Sequence, residues 1–218
     1  MFRGDSEALH TDIRIVLERL APHVYLDDIV GKIKGFYARG KISLNHALAE
    51  VVIAHYLRAQ GFKHVDVEHN IAPRIVCDVY GELERGKLCV EIEYGFVPPE
   101  YATEPNSYLR ARIAKKIATI SQHVDILAFA IPPHYIPPIP LILLRPPCTR
   151  SRSRRGLSDL ISLIKRFYPD SDIEATEKIL TRAEIGFFLI VDIDRGKVAK
   201  LTPQQMEILL TTIDSFLT

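Results

Sequence analysis

The residues of this chain best suited to chemistry lie in one short stretch, RIVCDVYGELERGKLCVEIEYG, from Arg74 to Gly95. It reads as a strand, a turn and a second strand, with Asp78 on the first arm and Glu91 and Glu93 on the second. Alternate residues of a strand share a face. On the first arm Ile75, Cys77, Val79 and Leu83 fall on one face, with Asp78, Tyr80 and Glu82 on the other. On the second arm Leu88, Val90 and Ile92 oppose Cys89, Glu91 and Glu93. A two-residue turn at Arg85-Gly86 pairs Val79 with Ile92 and Asp78 with Glu93, and sets Glu91 opposite Tyr80, diagonal to Asp78. A four-residue turn gives the same register, whereas a three- or five-residue loop breaks it. Three carboxylates then gather on one face within cross-strand reach. Like charges this close destabilise a sheet unless a cation offsets them, and hard oxygen ligands suit Mg²⁺ or Mn²⁺. The plainer reading of the same pattern is the solvated face of an amphipathic hairpin.

The elements around the hairpin decide between these readings. SEALHTDIRIVLERLAP opens the chain as a helix, with Ser6 as N-cap and Pro22 near its stop. YLDDIVGKIKGFYARG reads as a second, weaker helix, because Gly31 and Gly35 cost helical stability. SLNHALAEVVIAHYLRAQG is apolar on nearly every side and so reads as a buried helix, capped by Ser43 and ended by Gly61. It carries a single acid, Glu50. KHVDVEHNI alternates as a strand does. After the hairpin come a proline-rich loop from Val97 to Ser107, an amphipathic helix in SYLRARIAKKIATISQHV, and DILAFAIPP, an apolar run of the kind buried on both faces. The order helix, three strands, helix, strand predicts a mixed sheet with helices packed on it. Seven of the 14 prolines fall between Pro132 and Pro147, which predicts an irregular or edge segment closing this unit. A basic loop, TRSRSRRG, then leads to two helices, a hairpin turning at Asp194-Arg195-Gly196, and a last helix after Pro203.

This series resembles the PD-(D/E)xK nuclease superfamily, the restriction-endonuclease-like fold that includes archaeal Holliday-junction resolvases. The resemblance covers roughly Ser43 to Pro132. Glu50 matches the helix acid, Asp78 the first-arm Asp, and Glu91 the acid of the second-arm motif. The position of the family lysine holds Glu93, giving E-x-E. In the family that lysine can instead stand on the following helix, where Leu109, Ile113, Ile117 and Ile120 form the apolar face. Arg112, Lys115 and Lys116 form the neighbouring stripe, and Lys116 lies nearest the apolar edge. The resemblance implies an α/β restriction-endonuclease-like mixed sheet flanked by helices, with N-terminal helices in residues 1–42, a nuclease-like core in 43–147 and an α/β C-terminal extension in 148–218. It implies metal-dependent phosphodiester hydrolysis, on DNA. Asp78, Glu91 and Glu50 would hold Mg²⁺ or Mn²⁺, with Glu93 as general base or second-metal ligand and Lys116 supplying the positive charge. Arg112, Lys115, Arg150, Arg152, Arg154 and Arg155 are candidate nucleic-acid contacts. A homodimer would cut both strands. The alternative is a nuclease-like protein without catalysis, acting as a nucleic-acid-binding or assembly subunit.

The bulk composition sets outer bounds. The 218 residues are 47% hydrophobic and 25% charged, which predicts a packed core. With 28 basic and 27 acidic side chains the net charge is +1, so nucleic-acid affinity has to come from a local patch. Cys77, Cys89 and Cys148 form no C-x-x-C pair, and an odd number without a framework fits a reducing, intracellular setting. The start of the chain has no signal-like stretch and no run approaches a spanning helix, so the expectation is a cytoplasmic protein with no membrane partner. Few Asn, Gln and Met beside many Ile, Leu, Arg and Glu lean toward a thermophile. The eight histidines include no H-x-H or H-x-x-x-H pair, and His46 and His55 read as satisfied structural histidines. Asp192 and Asp194 read as turn and surface acids. No phosphate loop, dinucleotide motif or G-x-S-x-G elbow occurs, so no organic cofactor is expected.

Overall fold

The computed structural model describes residues 3–84, 86–150 and 154–217. Among these, the sheet consists of β1 (Asp66–Ala72), β2 (Ile75–Leu83), β3 (Gly86–Ile92), β4 (Ile126–Ile131), β5 (Ile185–Asp192) and β6 (Lys197–Leu201), paired in chain order from edge to edge. β1, β2 and β3 form an antiparallel meander, β3, β4 and β5 run parallel, and β6 returns antiparallel. The protein is therefore α/β with one mixed open sheet. Strands from residues 148–218 complete the sheet that the first half begins.

Helices cover both faces. α1 (Arg3–Arg19), α2 (Asp27–Ala38) and α3 (Leu44–Ala59) lie on one side. α3 has nine buried residues, as its all-round apolar sequence requires, and packs under the small Ala128 and Ala130 of β4. Ser43 accepts the His46 N–H at its start, and Gly61 follows its end at φ +85°. Arg58 ties α3 to α2 by donating to both oxygens of Asp28 at 2.8 and 2.6 Å. α4 (Pro105–Ile120), α7 (Arg154–Phe167) and α8 (Ile173–Leu180) cover the other side, with α9 (Pro203–Leu217) packed beside them. β4 is apolar on both faces because both are covered: Leu127, Phe129 and Ile131 face α4, and Ala128 and Ala130 face α3.

Several expectations are corrected. Helix α1 is already under way at Arg3, so Ser6 lies inside the helix rather than at its N-cap position. The proline-rich segment after β4 holds two one-turn helices, α5 (Leu141–Leu144) and α6 (Pro147–Arg150), and no edge strand. Cys77 and Cys89 form a disulfide across the arms of the hairpin, leaving Cys148 as the free cysteine among the described residues. No helix among the described residues is long and apolar enough to cross a membrane.

The hairpin register also differs from expectation. Leu83 pairs with Gly86 and Val79 with Val90, two residues away from the expected pairing. An even slip preserves the faces, and it places Asp78 beside Glu91 rather than beside Glu93. Beyond Val79 the ladder opens. The Ile92 N–H donates to Asp78 Oδ2 at 2.7 Å, and the Asp78 N–H points to Glu91 Oε1 at 3.4 Å. Side-chain oxygens thus take places that main-chain carbonyls would hold in a regular ladder. The alternation breaks with the ladder. Cys77 joins Tyr80 and Cys89 in the core under α4, whereas Val79 joins the core under α3.

Candidate metal centre

The first turn of α3 meets β1, β2 and β3 at the end of the sheet where the hairpin ladder opens. His46 and Glu50 are four residues apart and share one helical face. His46 Nε2 lies 3.5 Å from Glu50 Oε1, 3.8 Å from Glu68 Oε1 and 3.6 Å from Asp78 Oδ1. These separations are too long for strong hydrogen bonds. The ligand atoms of His46, Glu50 and Glu68 all lie within 4.8 Å of one another. Glu50 is 0% exposed, and neither its oxygens nor His46 Nε2 find a hydrogen-bond partner among the described residues. Buried polar atoms without partners are rare in folded proteins and mark sites that hold something else.

Glu68 reaches the cluster at a backbone cost. It has φ +47°, a left-handed conformation that a non-glycine residue adopts at a cost of about 1–3 kcal/mol. It stands between the rungs Val67–Val79 and His69–Cys77, and therefore across from Asp78. On either side the strand is held firmly: Asp66 binds Lys32 and His69, each at 2.7 Å, and His69 stacks on Tyr80 at 4.2 Å.

The electrostatics follow from crowding acids round one imidazole. Burial disfavours the His46 imidazolium, but Asp78 and Glu50 outweigh it and raise the group to about 10. Burial raises the Glu50 carboxyl to about 8 against the pull of His46. Glu68 is also raised, by burial and by Asp78. Asp78 resists its burial and stays below the usual carboxylate range, because His46, Lys116 and the Ile92 N–H favour its charged form. A proton on His46 offsets only part of this negative charge. Three carboxylates and one imidazole from α3, β1 and β2 suit a divalent cation with oxygen preference, and the imidazole favours Mn²⁺ over Mg²⁺.

Glu91 stands on the other side of the opened ladder. It is 3% exposed, and its Oε2 lies 2.7 Å from Lys116 Nζ on α4. Burial and Asp78 raise the Glu91 carboxyl to about 7 despite the lysine. Burial weighs against the Lys116 ammonium, but Glu91, Asp78 and Glu93 raise it overall. The three hairpin acids therefore do not share one face, because the break at Asp78 turns that carboxylate toward α3 while Glu91 faces α4. Glu93 is committed elsewhere. Fully buried, its Oε1 accepts the Gly95 N–H at 2.9 Å and lies 3.7 Å from Arg112 Nη1, while its Oε2 has no hydrogen-bond partner among the described residues.

Two cavities meet at this seam. One of about 510 Å³ is bordered by Lys41, His46, Glu68, Asp78 and Phe96. The other, about 340 Å³, is bordered by Arg74, Val76, Glu91, Lys115 and Tyr168. Arg112 and Lys116 line both. Lys115 donates to Ser171 Oγ at 2.6 Å and stands over the Tyr168 ring. Arg150, expected to contact nucleic acid, is 2% exposed and donates to the carbonyls of Ile142, Leu143, Arg145, Leu180 and Ala183. It ties α5 and α6 to the end of α8 and has no surface to offer a phosphate. Arg155 is exposed at the start of α7, while Arg152 and the side chain of Arg154 lie outside the described residues.

Sequence reasoning missed two residues of the cluster. Glu68 passes for the solvent face of an alternating strand, and His46 for a structural histidine. The latter reading suits His55, whose Nε2 meets the Ala21 carbonyl at 3.1 Å. The signal that could have found His46 is its four-residue spacing from Glu50 on a helix otherwise apolar. No protein-family model, curated protein or solved structure matches this chain.

Proposed function

We propose that this protein is a metal-dependent nuclease that hydrolyses phosphodiester bonds in DNA. One observation carries the reading: the ligand atoms of His46, Glu50 and Glu68 lie within 4.8 Å of one another, Asp78 Oδ1 lies 3.6 Å from the same imidazole nitrogen, and His46 Nε2 and both Glu50 oxygens have no hydrogen-bond partner among the described residues, beside the buried Glu91 and its half-buried partner Lys116. Asp78, Glu50, Glu68 and His46 would hold Mn²⁺ or Mg²⁺, which supplies a water of lowered pKa and positive charge for the phosphate. Glu91 sits near its midpoint at neutral pH, and so can accept the proton of an attacking water. Lys116 supplies the fixed charge that the E-x-E motif lacks and would stabilise negative charge building on a phosphate oxygen. Arg112, at the boundary of both cavities, orients the strand. Glu93 acts on the loop rather than on the reacting atoms.

The test is cleavage of plasmid, linear, single-stranded and branched DNA with Mn²⁺ or Mg²⁺, run beside Asp78→Ala and Glu91→Ala. Cutting by wild type and by neither variant is the expected result. No cutting with either metal, together with no calorimetric metal binding that depends on Asp78, would remove the proposal. Glu93 in place of the family lysine, turned toward the Gly95 loop, favours a second reading, a nuclease-like binding or assembly subunit without catalysis. It predicts metal-independent nucleic-acid binding that survives Asp78→Ala.

A further inference from the structure

We infer that the nucleic-acid strand entering this site carries an unpaired base beside the phosphate at the metal centre, and that this base stacks on Phe96. The inference rests on the nuclease reading. Phe96 is 67% exposed although it borders the same cavity as His46, Glu68 and Asp78.

The loop that holds Phe96 is firmly built. Gly95 has φ +73°, and a Cβ there would stand 2.4 Å from the Tyr135 ring, so glycine alone fits. The Gly95 N–H donates to the buried Glu93, and Arg112 Nη1 donates to the Phe96 carbonyl at 2.8 Å. The backbone is therefore fixed on both sides of a ring that remains in water. This is what the E-x-E glutamate does here: it anchors the mouth of the site.

The occupant follows from the surroundings. Lys41 and Arg112 border the cavity beside Phe96, and Arg74 and Lys115 border the one across the seam. Cations tracking a backbone beside an open aromatic ring are the pattern of single-strand recognition, since every base has a face to stack. Paired bases inside a duplex have both faces covered and offer none to Phe96. Glu50 and Glu91 are buried, so the phosphate has to enter a recess, which a lone strand does more readily than a duplex.

The experiment measures binding of the full-length protein in Ca²⁺, with oligonucleotides carrying a fluorescent adenine analogue whose emission is quenched by stacking. The probes are single-stranded DNA, single-stranded RNA, blunt duplex DNA, and the duplex with an unpaired tail. Phe96→Ala should weaken single-strand and tailed-duplex binding roughly tenfold, the order of one lost base–aromatic stack, and abolish the quenching. Phe96→Trp should restore both, and blunt-duplex binding should not change. A preference between the DNA and RNA arms names the sugar and leaves the stack intact. Equal loss on all probes, no loss, or no binding of any probe would overturn the inference. Mn²⁺-dependent cleavage indifferent to Phe96→Ala removes the stack alone. Single-strand binding through Phe96 with neither cleavage nor Asp78-dependent metal binding supports the stack and removes the nuclease.

Discussion

Replacing Glu68 with glycine should make the metal-free protein more stable and leave it unable to respond to metal. Glu68 holds φ +47° in the middle of β1. An L-residue there costs roughly 1–2 kcal/mol, and the greater freedom of glycine in the unfolded chain returns about 0.5–1 kcal/mol of that gain. The net backbone effect is then stabilising by between about 0 and 1.5 kcal/mol. Removing the carboxylate adds to it, because burial and the nearby Asp78 disfavour the charged form of Glu68. For a chain of this size a gain of about 1 kcal/mol raises Tm by roughly 2–4 °C. The assay is a calorimetric melt with EDTA and again with increasing Mn²⁺. Wild type should gain stability with metal as RT ln(1 + [M]/Kd), while Glu68→Gly should start higher and gain little. Glu68→Ala separates the two effects, since it removes the charge and keeps the strained backbone. It should melt below the glycine variant with EDTA. The reasoning fails if Glu68→Gly melts at or below wild type without metal, or if it keeps the full metal-dependent rise.

Further expectations concern the groups around Glu68. Lys116→Met removes the cation that favours the Glu91 carboxylate and should lower stability in urea unfolding above pH 7, where that carboxyl would otherwise ionise, with Glu91→Gln in the same chain recovering much of the loss; an unchanged midpoint at pH 9 would mean that the pair contributes nothing to the fold. His46 and Glu50 both bind protons more tightly folded than unfolded. Metal-free stability should therefore fall as pH rises, from 4.5 to about 8 for Glu50 and from 6.5 to about 10 for His46, and saturating Mn²⁺ should flatten that slope. Metal binding should accordingly tighten from pH 6 to 9 with proton release, measured by calorimetry in buffers of different ionisation enthalpy; a pH-independent affinity would place the metal elsewhere. Arg150→Ala leaves five carbonyls without their donor and should cost more than about 3 kcal/mol. Loss of nucleic-acid affinity at unchanged stability would contradict the buried role.

The elements that announce themselves in one dimension were the legible ones. α3 is apolar all round between a serine cap and a glycine stop, and β4 is an unbroken apolar run, so burial on both faces could be read directly. The family resemblance points to a lysine on the helix after the hairpin, helical spacing singles out Lys116 at the apolar edge of α4, and its Nζ lies 2.7 Å from Glu91. Features that depend on departures from regular geometry could not be read. Glu68 reaches the cluster only through a left-handed backbone, which no alternation pattern encodes. The two-residue register difference depends on where the turn falls: Gly86 reads as a turn residue but instead opens β3 and pairs with Leu83. The disulfide needs Cys77 to leave the face its spacing assigns, and it does so because the ladder opens at Asp78. Arg150 stands in a basic run that reads as a surface loop, and its five carbonyl partners come from segments as far off as Ala183.

Strand order that follows chain order also bears on biosynthesis. Each strand leaving the ribosome finds its neighbour already made, so the sheet can grow by addition at one edge with little rearrangement. The four groups that converge on the centre lie between His46 and Asp78, and Glu91 follows 13 residues after Asp78. Lys116, the side chain that offsets Glu91, is made only later with α4. A nascent chain that has just completed β3 thus carries the crowded acids before the lysine that offsets Glu91, so their mutual repulsion weighs most on the fold in that interval.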